Sequence, residues 1–492
     1  MTEVGSAQEV GSAPGAPPAR TGEPGEALRA ARAALAGTAA WLVGGAPRDR
    51  ALGRDTLDLD IVVDSCARDA ARAIARAAGG AACFELSEEF SGWRVVARER
   101  TWQVDVQPLR GGSLAADLAL RDFTIGAIAE PLAGGERVYD PLGGLVDLAA
   151  RRLRMASPRA FADDPLRVLR LVRLALDLDF QIDPDTAAAA RAAAPELRRV
   201  SGERVFMELR RIVASPRALD GLQLMDSLGI TAAVLGELDA LRGVQQSRFH
   251  HRDVHGHTLE VLDRTIALQA DPGAVLGAGE LAEPLTALLA EPLADELTRG
   301  DALRWGALLH DAAKPLTAAT GRDGRVTFLG HDARGAELAR SILERLRASE
   351  RLRAHVAALV RHHLRLGFLV HEPQPLERRM VFAYLQATSP VEVDITLLSV
   401  ADRLATRGDR AGEAIEAHLR LARPMLADAL RWRTGGPPRP LWRGDELAGA
   451  LQIPAGPRLG EILRELAAAQ YAGEVATREQ ALARARAFLT GG

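Results

Sequence analysis

Asp58 and Asp60 stand two residues apart in the stretch Trp41–Asp64, WLVGGAPRDRALGRDTLDLDIVVD. On an extended strand that spacing turns both carboxylates to one face, and Leu59, Ile61 and Val63 to the other. Two carboxylates on an exposed strand face, close to a glycine-rich turn, can hold divalent ions against a triphosphate. Gly44 and Gly45 let backbone N–H groups approach phosphates with no Cβ in the way, and Arg48 and Arg54 add positive charge. Asp105, in QVDVQPL, follows the same facing logic and suits a third carboxylate. A second set of chemistry-bearing residues lies downstream, where nine of the chain's 11 histidines fall between His250 and His363. Among them are His257 in HGHTLEVL and the doublet His310-Asp311 in LLHDAAKP, with Asp402 following in LLSVADRLATR. Imidazole nitrogens combined with carboxylate oxygens suit divalent metals with open positions for water and phosphate.

The elements that must position these groups follow from pattern. A short helix over Glu26–Leu35 leads into an apolar strand, the Gly-Gly turn, a basic helical turn and the DxD strand. Cys66–Ala78 reads as a helix, and Cys83–Leu86, Trp93–Arg98 and Trp102–Pro108 read as strands separated by turns. A mixed sheet flanked by helices is the natural architecture for this region, and from residue 151 the periodicity is helical. The expected divisions are a disordered tail over 1–25, a head over 26–150, a helical neck over 151–245, a metal-binding domain over 246–410 and a helical body and tail over 411–492. Pro272–Arg299 reads as an apolar helical insertion with loops and no chemistry. The first 25 residues are rich in Gly, Ser, Pro and Ala and cannot bury enough surface to offset ordering entropy.

The opening stretch resembles the LVGGxVRDxLLGR…DxDI pattern of the bacterial tRNA nucleotidyltransferase and poly(A) polymerase family, the class II CCA-adding enzymes, with Pro47 at a usual valine. Further motifs carry the resemblance to about residue 490. Asp117-Leu118 with Arg121-Asp122-Phe123-Thr124-Ile125 is similar to DLxxRDFTINA, with Gly126 in place of Asn. Asp140-Pro141…Gly144…Asp147-Leu148 matches DPxxGxxDL, and Asp163-Asp164-Pro165-Leu166-Arg167 is similar to EDPxR. Ser201-Gly202-Glu203-Arg204 with Glu208-Leu209 is similar to SxERxxxEL, and a GPxxGxxL segment lies near the end. His257, His310, Asp311 and Asp402 resemble the signature of HD metal-dependent phosphohydrolases, with His331, His362 and His363 at the positions of extra ligands. Lys314 follows the doublet and can meet a phosphate.

The resemblance implies an α+β fold: a polymerase-beta-like nucleotidyltransferase head, then an elongated helical body containing an HD domain. It implies addition of 3′-terminal CCA, or CC or A alone, to tRNA from CTP and ATP, with pyrophosphate released. Asp58, Asp60 and Asp105 would hold Mg²⁺. Gly44, Gly45, Arg48, Arg121 and Asp122 would contact the nucleotide. Asp164 and Arg167, with Arg170 beside them, would read the base edge, since a carboxylate accepts from an exocyclic amine and a guanidinium donates to ring acceptors. Asp164 before Pro165 also reads as a helix N-cap. Arg204 would brace that helix, and Arg173 reads equally well as part of a solvated face. Only Gly111–Ala116 separate Arg110 from Asp117, a short connection that in this family accompanies enzymes adding CC and stopping.

Composition sets limits. Hydrophobic residues make up 47% and charged residues 26%, the balance of an ordinary globular chain. The net charge is −3, so RNA would be gripped by local patches, shape and backbone contacts. Lys314 is the only lysine among 62 basic residues, so arginine clusters carry less meaning than usual. Two cysteines without CxxC spacing and no membrane-length apolar run point to a reduced cytoplasm. Poly(A) addition is one alternative reading; an HD phosphohydrolase whose head merely binds RNA is another.

Overall fold

A computed structural model of the chain describes residues 25–87, 91–135, 138–246, 250–322, 324–408 and 411–490. Apart from Gly25, the expected disordered tail lies outside the described residues. The chain divides into two compact units, Met1–Val234 and Leu235–Gly492.

In the first unit, helix α1 (Glu26–Ala34) precedes strand β1 (Ala40–Val43), helix α2 (Gly45–Ala51), strand β2 (Asp58–Val63) and helix α3 (Ala67–Ala77). Strands β3 (Ala82–Ser87), β4 (Gly92–Val96) and β5 (Gln103–Pro108) follow, then helix α4 (Leu114–Ala119), strand β6 (Ala129–Pro131) and helix α5 (Gly144–Ala149). The six strands form one sheet in the order β3-β4-β5-β2-β1-β6. Only β2 and β5 pair in parallel; the remaining neighbours are antiparallel.

This sheet is mixed because β2 reaches β5 only after α3 and a hairpin have intervened. Leu59, Ile61 and Val63 bury against Ala70, Ala71 and Ile74 of α3 and against Val95, Trp102, Val104 and Val106. The opposite face of β2 starts with Asp58 and Asp60 and ends at Val62, which packs with Val43, Leu118 and Ala129. One strand thus presents carboxylates at its start and core at its end.

Beyond the sheet the first unit is mainly helical, with one two-stranded parallel pair, Arg152–Leu153 and Gln181–Ile182. Its helices are α6 (Ala160–Asp163), α7 (Arg167–Leu178), α8 (Pro184–Ala193), α9 (Gly202–Ala214) and two further helices over Ala218–Ser227 and Ile230–Val234. Helix α7 buries Val168, Leu169, Leu171, Val172 and Leu174, an apolar face wide enough to be covered by α9 on one side and by Ala218–Ser227 on another.

The second unit is built from helices around a leucine-rich core. Those that matter for chemistry are Val254–Ala270, Arg299–Leu309, His331–Arg345, Glu350–His362 and Glu392–Ala405. The stretch expected as a helical insertion holds helices Pro272–Leu276 and Ala282–Leu289 plus a two-stranded ribbon, Pro292–Ala294 with Leu297–Thr298. Near the C-terminus, helices Gly444–Leu451, Pro457–Tyr471 and Arg478–Thr490 share a small core of their own around Leu447, Ile462 and Ala481.

Candidate functional site

The parallel register of β2 and β5 sets Asp60 directly beside Asp105, and Asp58 lies two residues before Asp60 on the same face. Burial raises the Asp60 carboxyl above its ordinary range; Arg121 opposes the shift, while Asp105 and Asp58 add to it. Three carboxylates share one face, Asp60 raised by burial and like charge, and carboxylate oxygens are the donors a divalent cation takes. In this state their oxygens are not gathered to a point, since Arg94 holds both oxygens of Asp105. Gly44 belongs to the same construction. It has φ +73°, and a Cβ there would lie 2.5 Å from Asp60 Oδ2 and 3.2 Å from Arg121 Nη1. Its missing side chain therefore leaves room for the Asp60 carboxylate itself.

Around this face the arginines are engaged. Arg48 pairs with Asp49 (Nε–Oδ1 2.8 Å). Arg121 and Arg110 share the buried Asp117, at 3.3 Å and 2.9 Å. Asp122 accepts from Arg170 Nε at 2.9 Å and from the Phe123 N–H at 2.9 Å. Burial pushes Asp122 up, but the charge and hydrogen bond of Arg170 and the Phe123 N–H outweigh it and hold the carboxyl below its ordinary value. A Cβ on Gly126 would sit 3.3 Å from Asp122 Oδ1, so the residue that replaces the usual Asn lies against the carboxylate of the same motif.

Asp164 accepts from Leu166 N at 3.2 Å and from Arg204 Nη2 at 2.8 Å. It does not cap α7 with Pro165 as first helical residue: α7 begins at Arg167, after a tight turn in which Arg167 N bonds to the Asp164 carbonyl. Arg167 donates to the carbonyls of Leu120 (2.7 Å), Ala160 (3.0 Å) and Arg121 (3.3 Å). In this state its guanidinium ties α7 to the Arg121-Asp122 turn. Arg173 departs from the solvated-face reading. It is buried and pairs with Glu208 Oε2 at 2.6 Å and Asp177 at 3.0 Å.

The second cluster lies wholly within the second unit. His257 Nε2 is 3.0 Å from Asp402 Oδ1 and 3.8 Å from Asp311 Oδ2. Asp311 Oδ2 is 3.1 Å from His310 Nε2, out of hydrogen-bonding alignment, and 2.6 Å from Lys314 Nζ. Asp311 Oδ1 faces His331 Nε2 at 3.4 Å and His363 Nε2 at 3.9 Å. The donor atoms thus form two buried triads, His257-His310-Asp311 and Asp311-His331-His363, with Asp311 common to both.

The backbone fixes the chemistry of three rings. Nδ1 of His310 lies 2.8 Å from Ala307 O, Nδ1 of His331 lies 2.6 Å from Phe328 O, and Nδ1 of His363 lies 2.7 Å from Val360 O. Each Nδ1–H is thereby committed to a carbonyl, which leaves Nε2 as the ring atom turned to the cluster. Burial and the nearby His310 push His363 down to about 4, so its ring is neutral at neutral pH. His331 Nε2 and His363 Nε2 meet at 3.2 Å, so the neutral His363 ring brings its lone pair to the second imidazole beside Asp311. Divalent metal fits these residues. His362 does not join them; its Nδ1 accepts from Arg365 Nε at 2.9 Å.

Three family models match the chain: the poly A polymerase head domain over residues 40–154, the probable RNA and SrmB-binding site of polymerase A over 179–241, and the HD domain over 285–407. An A-adding tRNA nucleotidyltransferase of Deinococcus radiodurans is 37% identical over 450 residues, covering 90% of this chain and 94% of that one. The chain belongs to the tRNA nucleotidyltransferase and poly(A) polymerase family. CC-adding members from Geobacter sulfurreducens and Thermus thermophilus are each 35% identical, over 447 and 459 residues, covering 90% and 92% of this chain and 91% and 93% of theirs. The fold agrees with that of the Thermotoga maritima CCA-adding enzyme complexed with tRNA, at TM-score 0.59 and 19% identity over 94% of both chains. A CCA-adding enzyme in complex with ATP superposes at TM-score 0.61 and 18% identity, covering 94% of this chain and 95% of that one.

As a nucleotidyltransferase of this family, the chain carries supports that motif reading assigned no task. Asp147 of the DPxxGxxDL segment is fully buried; it accepts from Thr124 Oγ1 at 2.7 Å, Arg152 at 2.6 Å and Arg154 at 2.8 Å. It therefore braces the Arg121-Asp122-Phe123-Thr124 turn. Arg94 clamps Asp105, and Gln246 accepts from Lys314 Nζ at 2.6 Å. His250 stacks edge-on against His257, ring centroids 5.0 Å apart. The histidine-rich composition was the only hint of His250 in the sequence; Arg94 and Gln246 depend on pairings 11 and 68 residues apart.

Proposed function

We propose that the protein extends tRNA 3′ ends in the cytoplasm by two C residues from CTP and stops there. The observation carrying this reading is the closed connection between β5 and α4. Gly111 and Gly112 turn through positive φ, Ser113 caps Ala116 N, and Arg110 bonds Asp117 through its backbone N–H at 3.3 Å and its side chain at 2.9 Å. No segment remains there to act as the long loop that CCA-adding members carry. The CC-adding relatives support the reading. The A-adding relative, at 37% identity, favours a second one, in which only the terminal A is added.

Asp58, Asp60 and Asp105 would hold Mg²⁺, which when bound supplies Lewis-acid activation of the tRNA 3′-hydroxyl and neutralises the triphosphate as pyrophosphate leaves. The chain's own contribution is placement. The β2–β5 register aligns the carboxylates, Gly44 and Gly45 bring backbone without a Cβ beside them, and Arg48, Arg121 and Asp122 border the nucleotide. Arg170 fixes Asp122, and Asp164 and Arg167 present base-reading groups once Arg167 exchanges a carbonyl for the base edge. We assign residues 26–150 to the head, 151–245 to the neck, 246–410 to the HD domain and 411–492 to the body and tail. The HD cluster is read as a divalent-metal phosphohydrolase site, with His257, His310, Asp311, His331, His363 and Asp402 as ligands.

The test uses purified protein, Mg²⁺ and tRNAs ending at the discriminator base, at C and at CC, each with CTP, ATP or both, sized to one nucleotide. Two additions from CTP to the discriminator end and arrest at CC in the presence of ATP are expected. Extension by A from CC alone would replace this reading with the second.

A further inference from the structure

Arg94 on β4 stands across the antiparallel ladder from Asp105 on β5. It grips that carboxylate with both arms, Nε to Oδ1 and Nη2 to Oδ2, each at 2.7 Å. The parallel ladder on the other side sets Asp105 beside Asp60. A single cation therefore occupies both oxygens of the carboxylate nearest the DxD pair. The pair is not sealed in: the Arg94 side chain is 30% exposed and that of Asp105 is 16% exposed, so the guanidinium has a way out to solvent.

Resting on the reading of Asp58, Asp60 and Asp105 as the carboxylates that take Mg²⁺, we propose that Arg94 is a displaceable counter-cation, a positioning residue that holds Asp105 until a metal ion arrives with its nucleotide. A bare divalent ion must evict Arg94 and leave it without a partner. An ion carrying a triphosphate brings anionic oxygens that accept the freed guanidinium in the same two-pronged geometry. Entry of metal alone is penalised and entry of metal with nucleotide is not, so the head stays empty of metal until there is something to transfer. The device works identically whichever nucleotide is added.

Mn²⁺ binding to the full-length protein, followed by electron paramagnetic resonance of the free ion, tests this. Head-site binding is the portion that Asp58→Ala removes, which separates it from the HD cluster. Without nucleotide, Arg94→Ala should bind head-site Mn²⁺ about fivefold more tightly, the scale of one partly exposed ion pair. Adding a non-hydrolysable CTP analogue should then tighten Mn²⁺ less in the variant than in the wild type, because the linkage has been removed. Arg94→Lys, a point charge without the fork, should fall between. Arg94→Gln keeps much of the arm without its charge and should show the same tightening even where alanine loosens the sheet. Head-site Mn²⁺ affinity unchanged or weakened in both neutral variants would overturn the proposal and leave Arg94 a strut.

Discussion

Gly44 lacks a side chain because Asp60 needs the space. In Gly44→Ala the new Cβ meets Asp60 Oδ2 at 2.5 Å on a backbone with φ +73°, and either the turn or the carboxylate must shift. Nucleotide addition should fall about tenfold or more, since a displacement near 1 Å is enough for that; wild-type kcat/KM would show the carboxylate tolerates it. Asp122 offers a titration. Its folded value lies below the ordinary one, so its stabilisation is complete above about pH 4 and fades as pH falls through the lower folded value. The melting deficit of Asp122→Asn at pH 7 should therefore narrow as the pH drops below about 4; a constant deficit would mean the charge is not what Arg170 recognises. The facing of Asp58 and Asp60 was legible in the sequence because a strand's period of two is a local rule. The clamp of Arg94 on Asp105 was not, because it depends on which strands pair and in what register. His362 and His363 show the same limit. Adjacent residues on a helix point about 100° apart, so one of the two faces the cluster, and packing decides which.

Helix α7 shows how an element can mislead a pattern. Arg167, Arg170 and Arg173 recur every three residues, but each step of three falls about 60° short of a full turn. The stripe rotates around the helix, which takes Arg173 into the interior beside Glu208 of α9. Removing Glu208 leaves a buried guanidinium with Asp177 as its remaining ion partner at 3.0 Å. Glu208→Ala should cost about 3 kcal/mol, the low end for breaking a buried pair, seen as a lower midpoint for the first unit in thermal melting. Arg159→Ala, whose pair with Asp163 is exposed, should change stability by less than about 1 kcal/mol. Equal effects of the two would contradict the placement of Arg173. The sheet order, by contrast, was open in the sequence: strands and helices were readable, but nothing local says that β2 pairs with β5.

On the scale of the whole molecule, the carboxylate face and the histidine cluster belong to separate compact units, divided at Val234 and Leu235. Short local signatures, the DxD pair and the His310-Asp311 doublet, revealed both centres, while the remaining members lie far along the chain. The second should be separable from nucleotide addition: His310→Ala should lower the protein's bound-metal content, measured by plasma mass spectrometry, without altering the tRNA product. The most direct measurement compares wild type, Asp58→Ala and His310→Ala on a tRNA ending at the discriminator base, with Mg²⁺ and CTP, at single-nucleotide resolution. Wild type and His310→Ala should each add two nucleotides at the same rate. Asp58→Ala should be slower by about a hundredfold or more, since Lewis-acid assistance is worth several kcal/mol. Full-rate extension by Asp58→Ala would contradict the account, because the carboxylate face would then not be where nucleotides are transferred.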